Sequence, residues 1–313
     1  MTTSHPNGKR KKKKKVRYER IAILVTGAIV VLALVIWGVF SLVKMAAGSG
    51  EKPSEASEQI SSTVTMTSEE IEAIAKPDFI EQETFDALKA QALSGSDTAW
   101  QAEYFLKDID QYDEDLLEFY LRDSDRFDYA KEWPNRDNYQ TPVTSLEEGV
   151  ATVPALLQWD LRWGYQPYGD WMIYAVGCAP TTFSMVSSYL NQDPTLTPKT
   201  IAEWADQSGQ YIPGQGTAYS FFTDAASQYG LNVETIDTTQ EAVEQAAAEG
   251  KVMIFHMLPG KFTTFGHFVV VPGVENGQLK INDPNSIERS SHLWTFEDVL
   301  PETATIWAYS KAQ

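Results

Sequence analysis

The chain has 313 residues, of which 43% are hydrophobic and 12% aromatic, so it can bury a sizeable core. This composition excludes a collagen-like, a wholly disordered and a polytopic membrane protein. With one cysteine and four histidines, the chain cannot build a disulfide framework or a thiolate-cluster metal site. We therefore predict neither a metal nor an organic cofactor.

The net charge of −18 is distributed unevenly along the chain. Residues 1–20 have a net charge of +8 and include an unbroken basic run from Lys9 to Lys15, which leaves −26 on the remainder. A surface this acidic repels a phosphate backbone, so we predict no nucleic-acid partner.

Residues 21–43 form an uncharged, mostly apolar run that is long enough for one helix to cross a bilayer. Because the basic run directly precedes it, the positive-inside rule predicts a single-pass protein of the cell membrane. Residues 1–20 would be a basic cytoplasmic tail, 21–43 a transmembrane signal anchor and 44–313 extracellular. The alternative is a signal peptide cleaved within residues 45–49.

The part after this run divides into four segments. Residues 44–68 are small and polar and predict a flexible linker. Apolar spacing predicts a helical region over 69–133, with a cap at its start, and this region either packs on the next domain or binds substrate or cell wall. A breaker cluster opens a link over 134–152, and the last domain covers 153–313.

The last domain changes its pattern halfway. Four helices are predicted first. One follows residue 180, one begins at 197, and the other two cover 216–229 and 238–249. The later segments are β-type runs at 252–255, 267–271 and 279–281, a short helix at 296–300 and a strand at 305–309. Helices followed by strands are typical of an α+β fold.

Cys178 is the only thiol in the chain, and it lies at the start of a predicted helix. Backbone N–H groups at a helix start favour the thiolate form. The residue is therefore either a small buried hydrophobe or a nucleophile. A nucleophilic cysteine needs an imidazole to accept its proton.

Three histidines outside the basic tail can supply that imidazole. His267 follows a glycine and opens a predicted strand, which makes it the first candidate. His256 ends the preceding strand and is the second. His292 lies among polar residues, so we expect it at the surface.

Asp283 ends the strand after His267 and is the candidate that orients the imidazole. A two-residue turn at Asn276-Gly277 would oppose Asp283 to Val270, on the other face of the sheet from His267. A three-residue loop with a bulge, or its equivalent, would oppose Asp283 to Val269, on the same face as His267.

Gln158 lies 20 residues before Cys178 in the sequence. Its side-chain amide can donate to an oxyanion together with the Cys178 backbone N–H. A purely structural glutamine is the alternative.

Four strings resemble those of papain-fold cysteine peptidases in the C39-like family, which is related to bacteriocin-processing peptidases. In chain order they are VPALLQWDLRWG, GCAPTTFSMVSSYL, GHFVVVPGV and INDPNS, and they span residues 153 to about 310. The resemblance implies a papain-like fold whose helical part carries Cys178 and whose antiparallel sheet carries His267 and Asp283. Ala179 stands where this pattern commonly has glycine.

The resemblance also implies roles for four residues. Cys178 would be the nucleophile, His267 the general base, Asp283 the residue that orients the imidazole and Gln158 the oxyanion donor. The predicted function is a membrane-anchored, outward-facing thiol peptidase acting on a peptide or protein substrate. An amidase or transpeptidase acting on cell-wall peptides and a non-catalytic binding domain remain alternatives.

Overall fold

The computed structural model describes residues 66–141 and 143–312. The predicted basic tail, the signal anchor over 21–43 and most of the predicted linker lie outside the described residues. Within the described ranges no helix is long and apolar enough to cross a bilayer. The longest described helix has 14 residues, whereas a span needs about 20. This finding contradicts the predicted single-pass cell-membrane localisation with an extracellular catalytic domain.

A capping box starts the first described helix, as predicted. The Thr67 hydroxyl accepts a hydrogen bond from the Glu70 backbone N–H at 3.2 Å, and the Glu70 carboxylate accepts one from the Thr67 backbone N–H at 2.7 Å. The helices of this region are α1 (Ser68–Ala73), α2 (Gln82–Ala92), α3 (Ala99–Lys107), α4 (Glu114–Leu121) and α5 (Phe127–Ala130). The same region also contains 3₁₀ segments at Ile109–Gln111, Ser124–Arg126 and Trp133–Tyr139.

The core of this helical region includes aromatic side chains from beyond residue 150. The Phe119 ring meets the Tyr174 ring edge to face, with 5.1 Å between the centroids. Tyr129 stacks on Tyr165 at 4.3 Å, and the Tyr165 hydroxyl donates to the Tyr129 carbonyl oxygen. The helical region and the segment after it therefore share one apolar core.

After residue 150, short elements surround one long helix and lead into a sheet. The helices are α6 (Ile173–Val176), α7 (Cys178–Asn191), α8 (Pro198–Gln207), α9 (Phe221–Gln228), α10 (Gln240–Ala248), α11 (Ile287–Ser290) and α12 (Phe296–Val299). The strands are β1 (Pro167–Tyr168), β2 (Trp171–Met172), β3 (Tyr211–Ile212), β4 (Gly216–Thr217), β5 (Leu231–Ile236), β6 (Val252–Met257), β7 (His267–Glu275), β8 (Gln278–Asn282), β9 (Leu293–Trp294) and β10 (Thr303–Lys311).

Six of these strands form one antiparallel sheet in the order β5-β10-β6-β7-β8-β9. The combination of helices with an antiparallel sheet confirms the mixed α and β character of the predicted fold class, and the predicted papain-like arrangement stays a prediction. The predicted helix over 216–229 starts only at Phe221, because residues 216–217 pair with β3 in a hairpin. Strand β5 was not predicted, although its alternation of apolar and polar residues has the period of a strand.

Helices cover both faces of the sheet. On one face, Phe222 of α9 stacks on Trp307 of β10 with 4.2 Å between ring centroids, and Val270 lies in the same cluster. On the other face, Val243 of α10 and Val269 of β7 belong to a second cluster. The neighbours Val269 and Val270 thus point to opposite faces, as strand geometry requires.

The β7–β8 hairpin closes with a two-residue turn. Glu275 pairs with Gln278, so that Asn276 and Gly277 alone form the turn. Their φ angles are 53° and 74°, the left-handed values that a type I′ turn requires. This is the shorter of the two predicted loops, the one expected to separate Asp283 from His267.

A β-bulge restores the register that the short turn would have lost. The pairing shifts by one residue between Val270 and Gly273, and Asn282 then pairs with Val270. Continued by one residue, this register opposes Asp283 to Val269, on the same face as His267. Pro272 lies within the shift, and because proline has no N–H to donate, it is tolerated in strands at such bulges.

The shared core predicts that the helical region and the sheet domain unfold together. We expect Phe119→Ala to lower the free energy of unfolding by about 3–5 kcal/mol, because it removes a ring that is 7% exposed and packs against Tyr174. Thermal unfolding followed by circular dichroism should keep a single transition at a lower temperature. Phe79→Ala is the control, since that ring is 52% exposed and should change little. Two separate transitions in either variant would contradict a shared core.

Candidate active site

Cys178 is the first residue of α7, directly after the tight turn that ends α6. The Gly177 N–H donates to the Ile173 carbonyl oxygen at 2.8 Å, and a Cβ on Gly177 would lie 2.4 Å from that oxygen. Only glycine fits this close approach without a backbone shift. The thiol is free and partly exposed, and it lines a cavity of about 460 Å³.

His267 and Asp283 form a buried, hydrogen-bonded pair. Their side chains are 5% and 0% exposed, and His267 Nε2 donates to Asp283 Oδ1 at 2.7 Å. An ionised carboxylate only accepts, so Nε2 carries the proton in this contact. Nδ1 is then the ring nitrogen left for other partners.

The carboxylate and the backbone N–H of Asp283 make three further hydrogen bonds that the sequence did not reveal. Its Oδ1 accepts from the Asn285 backbone N–H at 2.7 Å, and its Oδ2 accepts from Arg289 Nε at 2.6 Å. The Asp283 backbone N–H donates to Ser290 Oγ at 2.8 Å. The available signal was the Asp-Pro-Asn-Ser turn, whose Ser286 caps α11 and so brings residues 289 and 290 back to the carboxylate.

These contacts set the protonation of the pair. Burial lowers the pKa of His267, but the charge and hydrogen bond of Asp283 and the hydrogen bond and charge of Cys178 raise it by more, to about 9. Burial raises the pKa of Asp283, but His267 and Arg289 lower it by more, so that it lies below its ordinary value. At neutral pH the site thus holds an imidazolium against a carboxylate.

Cys178 lies near enough to His267 to be among the groups that raise the pKa of the imidazole. Since His267 Nε2 is bonded to Asp283, Nδ1 is the ring nitrogen that remains on the side away from the carboxylate. The predicted catalytic roles of Cys178, His267 and Asp283 stay predictions.

Gln158 bridges the two parts of the site. Its backbone N–H donates to the Pro284 carbonyl oxygen at 2.7 Å, and its Nε2 donates to the Tyr174 carbonyl oxygen at 2.6 Å, four residues before Cys178. The side chain is buried, and its Oε1 has no partner among the described residues. One hydrogen on Nε2 remains beyond the bond to Tyr174. The predicted oxyanion role of Gln158 stays a prediction.

The other two candidate histidines lie apart from the carboxylate. His256 on β6 is bonded through Nδ1 to the Tyr219 hydroxyl at 2.6 Å. His292 is exposed, as expected; its Nδ1 lies 3.7 Å from Glu288 Oε1, and its ring centroid lies 4.6 Å from that of Trp294. Of the three, His267 is the histidine that has the partner Asp283.

Arg126 connects the helical region to the loop after Asp283. Its side chain is buried beneath the Phe119 ring, and Nη2 donates to both the carbonyl oxygen and Oδ1 of Asn285 at 3.1 Å. Nη1 donates to the Phe119 carbonyl oxygen at 2.8 Å. Burial lowers the pKa of Arg126 to about 10, which still leaves a cation at neutral pH. Asn285 thus links this cation to Asp283 Oδ1.

Across residues 66–141 and 143–312 there is no cluster of three or more histidine, cysteine or acidic side chains able to hold a metal ion. A partly exposed thiol that lines a cavity and lies near a buried imidazole–carboxylate pair is an arrangement that can support nucleophilic catalysis.

The model of the Peptidase C39-like family matches residues 150–313, which is more than half of the chain. The chain therefore belongs to this family of cysteine peptidases, as the four sequence strings predicted. No curated protein matches the chain at a significant level.

Two solved structures are similar to the chain. One is the peptidase domain of Streptococcus ComA, a bifunctional ABC transporter involved in a quorum-sensing pathway. It is 21% identical, with a TM-score of 0.34, and the match covers 44% of this chain and 93% of that one. The other is a C39-like peptidase from Bacillus anthracis, 14% identical with a TM-score of 0.34, and here the match covers 53% and 98%.

The raised pKa of His267 predicts how stability depends on pH. A folded pKa of about 9, above the ordinary 6.5, stabilises the fold fully below pH 6.5, and this contribution disappears as the pH rises through 9. We expect Asp283→Asn to lower the pKa of His267 and to remove most of this dependence, because an amide carries no charge. Urea unfolding at pH 6.5 and 9.5 measures the stability, and NMR titration of the ring protons measures the pKa. Glu288→Gln, beside exposed His292, is the control. An unchanged His267 titration in Asp283→Asn would contradict this electrostatic account.

Proposed function

We propose that this chain is a thiol peptidase in which Cys178, His267 and Asp283 form a catalytic triad. The observation that carries the proposal is the buried His267–Asp283 hydrogen bond, and the free thiol at the start of α7 lies near enough to this imidazole to raise its pKa. An imidazole that faced solvent would not need a buried carboxylate partner to carry its charge. Here the carboxylate fixes the ring orientation and keeps the ring protonated beside the sulfur.

In the acylation step, the Cys178 thiolate attacks the carbonyl carbon of the scissile peptide bond and forms a carbon–sulfur bond. The carbon–nitrogen bond then breaks, and the His267 imidazolium gives its proton to the departing amine. This leaves a thioester on Cys178 and a neutral imidazole at His267. Asp283 stays ionised throughout and holds the ring through Nε2.

In the deacylation step, His267 takes a proton from water, and the resulting hydroxide attacks the thioester carbon. The carbon–sulfur bond breaks, the carboxylic acid leaves, and the sulfur returns to its thiolate form beside the imidazolium. One water is consumed for each peptide bond hydrolysed. The partly exposed position of Cys178 on a cavity supports access of both substrate and water.

We infer that the negative oxygen formed in both steps is stabilised by two N–H groups. The first is the Cys178 backbone N–H, because the first N–H groups of a helix have no partner within it. The second is the hydrogen on Gln158 Nε2 that is not used by Tyr174. The bond to the Tyr174 carbonyl holds that amide near the Cys178 turn and supports this role.

Substitution of the thiol and the imidazole tests the proposal. We expect Cys178→Ala to abolish hydrolysis of a quenched-fluorescent casein substrate, because no other thiol exists in the chain. His267→Gln should lower kcat by about 10²–10⁴, the usual contribution of a general acid–base. His292→Gln is the matched control, since that imidazole is exposed and should leave the rate unchanged.

If the wild-type chain releases no more hydrolysis product than Cys178→Ala, the peptidase proposal is contradicted and the non-catalytic alternative is favoured. Folding of each variant is checked by its circular dichroism spectrum.

The pH profile tests which protonation state works. Because acylation needs a protonated His267, kcat should fall as the pH rises through about 9. Asp283→Asn should move this fall to lower pH, since the charge that raises the pKa of His267 is lost. Initial rates between pH 6 and 10.5 provide the measurement. A profile whose alkaline fall stays in place in Asp283→Asn would argue against His267 as the titrating group.

A further inference from the structure

Arg126 is a cation buried between the helical region and the loop that follows Asp283. The residue directly precedes α5 and is 5% exposed. Burial has the largest effect on its pKa and lowers it, and the cations Arg289 and Arg122 lower it further, whereas the charges of Asp123 and Asp283 raise it. Its Nε has no hydrogen-bond partner among the residues that the structure describes. A charge buried with so little compensation does not by itself favour folding, which directs attention to what the side chain holds.

The guanidinium joins two parts of the chain that are far apart in sequence. Nη1 donates to the Phe119 carbonyl oxygen at 2.8 Å, within the helical region. Nη2 donates to the carbonyl oxygen and to Oδ1 of Asn285, both at 3.1 Å. Because a guanidinium is planar and its N–H groups have fixed directions, these three bonds set the position of Asn285 relative to the helical region.

Asn285 in turn holds the carboxylate of the site. Its backbone N–H donates to Asp283 Oδ1 at 2.7 Å, and the same oxygen accepts from His267 Nε2 at 2.7 Å. The side-chain oxygen and the carbonyl oxygen of Asn285 are both bonded to Arg126, so the movement of its N–H is restricted as well. A shift of Asn285 would therefore move the oxygen that orients the imidazole.

We propose that Arg126 is a positioning residue for the peptidase reaction and acts through Asn285 on the Asp283 carboxylate that orients His267. This inference rests on the proposed function, because it concerns the residues proposed to carry that reaction. Arg126 does not line the cavity beside Cys178. The helical region would thus support the reaction through Arg126 without contact between this residue and a substrate in that cavity.

Substitution of Arg126 in the full chain tests its effect on turnover. With a quenched-fluorescent casein substrate, we expect Arg126→Met to lower kcat by about tenfold to hundredfold, because a small displacement of a catalytic group is costly. KM should change by no more than about twofold, because Arg126 does not bind the substrate. Arg126→Lys keeps the charge but not the planar fork, and its kcat should lie between those of Arg126→Met and the wild type.

Leu88→Ala is the matched control for a loss of stability. It truncates a fully buried side chain in the core of the helical region, so it should lower the melting temperature and leave kcat unchanged. A wild-type kcat in Arg126→Met would overturn the proposal. So would an equal loss of kcat in folded Leu88→Ala, because the effect would then follow from stability. Full activity in Arg126→Lys would contradict a role for the fork.

The pKa of His267 separates positioning from a simple loss of charge. If Arg126→Met displaces the Asp283 carboxylate, the pKa of His267 should fall from about 9 by about one pH unit, and the alkaline fall of kcat should move to lower pH. Loss of a nearby cation alone would have the opposite sign, because it removes a charge that repels the imidazolium. NMR titration of the His267 ring protons measures this pKa. An unchanged or raised value in Arg126→Met would reject the proposal.

A double-mutant cycle tests the path through Asn285. Asn285→Ala keeps the N–H that bonds to Asp283 but removes one acceptor of Arg126, so it should lower the pKa of His267 by less than Arg126→Met does. In the Asn285→Ala background, Arg126→Met should lower this pKa by less than it does in the wild type. Equal effects in the two backgrounds would exclude the path through Asn285.

The titration also separates this inference from the proposed function. It requires no turnover, so a wild-type chain that hydrolyses no casein would contradict the peptidase proposal while the pKa of His267 still tests the role of Arg126. Circular dichroism checks the folding of each variant. If Arg126→Met does not fold, Asn285→Ala leaves the buried cation in place, and an unchanged pKa of His267 in that variant rejects the inference.

Discussion

The site depends on one buried carboxylate. Asp283 has a fully buried side chain, and an ionised carboxylate in such a place is very unfavourable unless it is paired and hydrogen-bonded. His267, Arg289 and the Asn285 backbone N–H together satisfy its oxygens. The same contacts that make the buried charge tolerable also orient the imidazole and keep it protonated. The stability of the fold and the proposed function therefore depend on the same hydrogen bonds of Asp283.

Distant parts of the chain hold this carboxylate in place. The bulge at Pro272 puts Asp283 on the same face of the sheet as His267, although the hairpin closes with a two-residue turn. From the helical region, Arg126 holds the side chain and carbonyl of Asn285. The Gln158 backbone N–H donates to the carbonyl oxygen of Pro284, the residue after Asp283. Because a shift of about 1 Å in a catalytic group is costly, such supports would be as important to the proposed activity as the three residues proposed to carry it.

Cys178 combines two surroundings. It lies near the buried His267–Asp283 pair, and it lines a cavity whose lining contains no aspartate, glutamate, lysine or arginine. The buried pair lies in a low-dielectric environment, where its electrostatic effect is stronger than in water.

The sequence by itself determined the local features. The thiol at a helix start, a histidine opening a strand, an acidic residue ending the next strand and the capping box at Thr67 were all readable, because each depends on residues close together in the chain. The sequence also left two hairpin registers open, and it gave no sign of the roles of Arg126, Asn285 and Arg289 or of the cavity beside Cys178.

Only the tertiary structure decided those points. A bulge changes register through backbone pairing with a neighbouring strand, which no local pattern specifies. Arg126 meets Asn285 across 159 residues of chain, and the cavity combines residues from β2 to β7. Contacts of this kind depend on how the sheet and the helices pack, and packing is a property of the whole fold rather than of any segment.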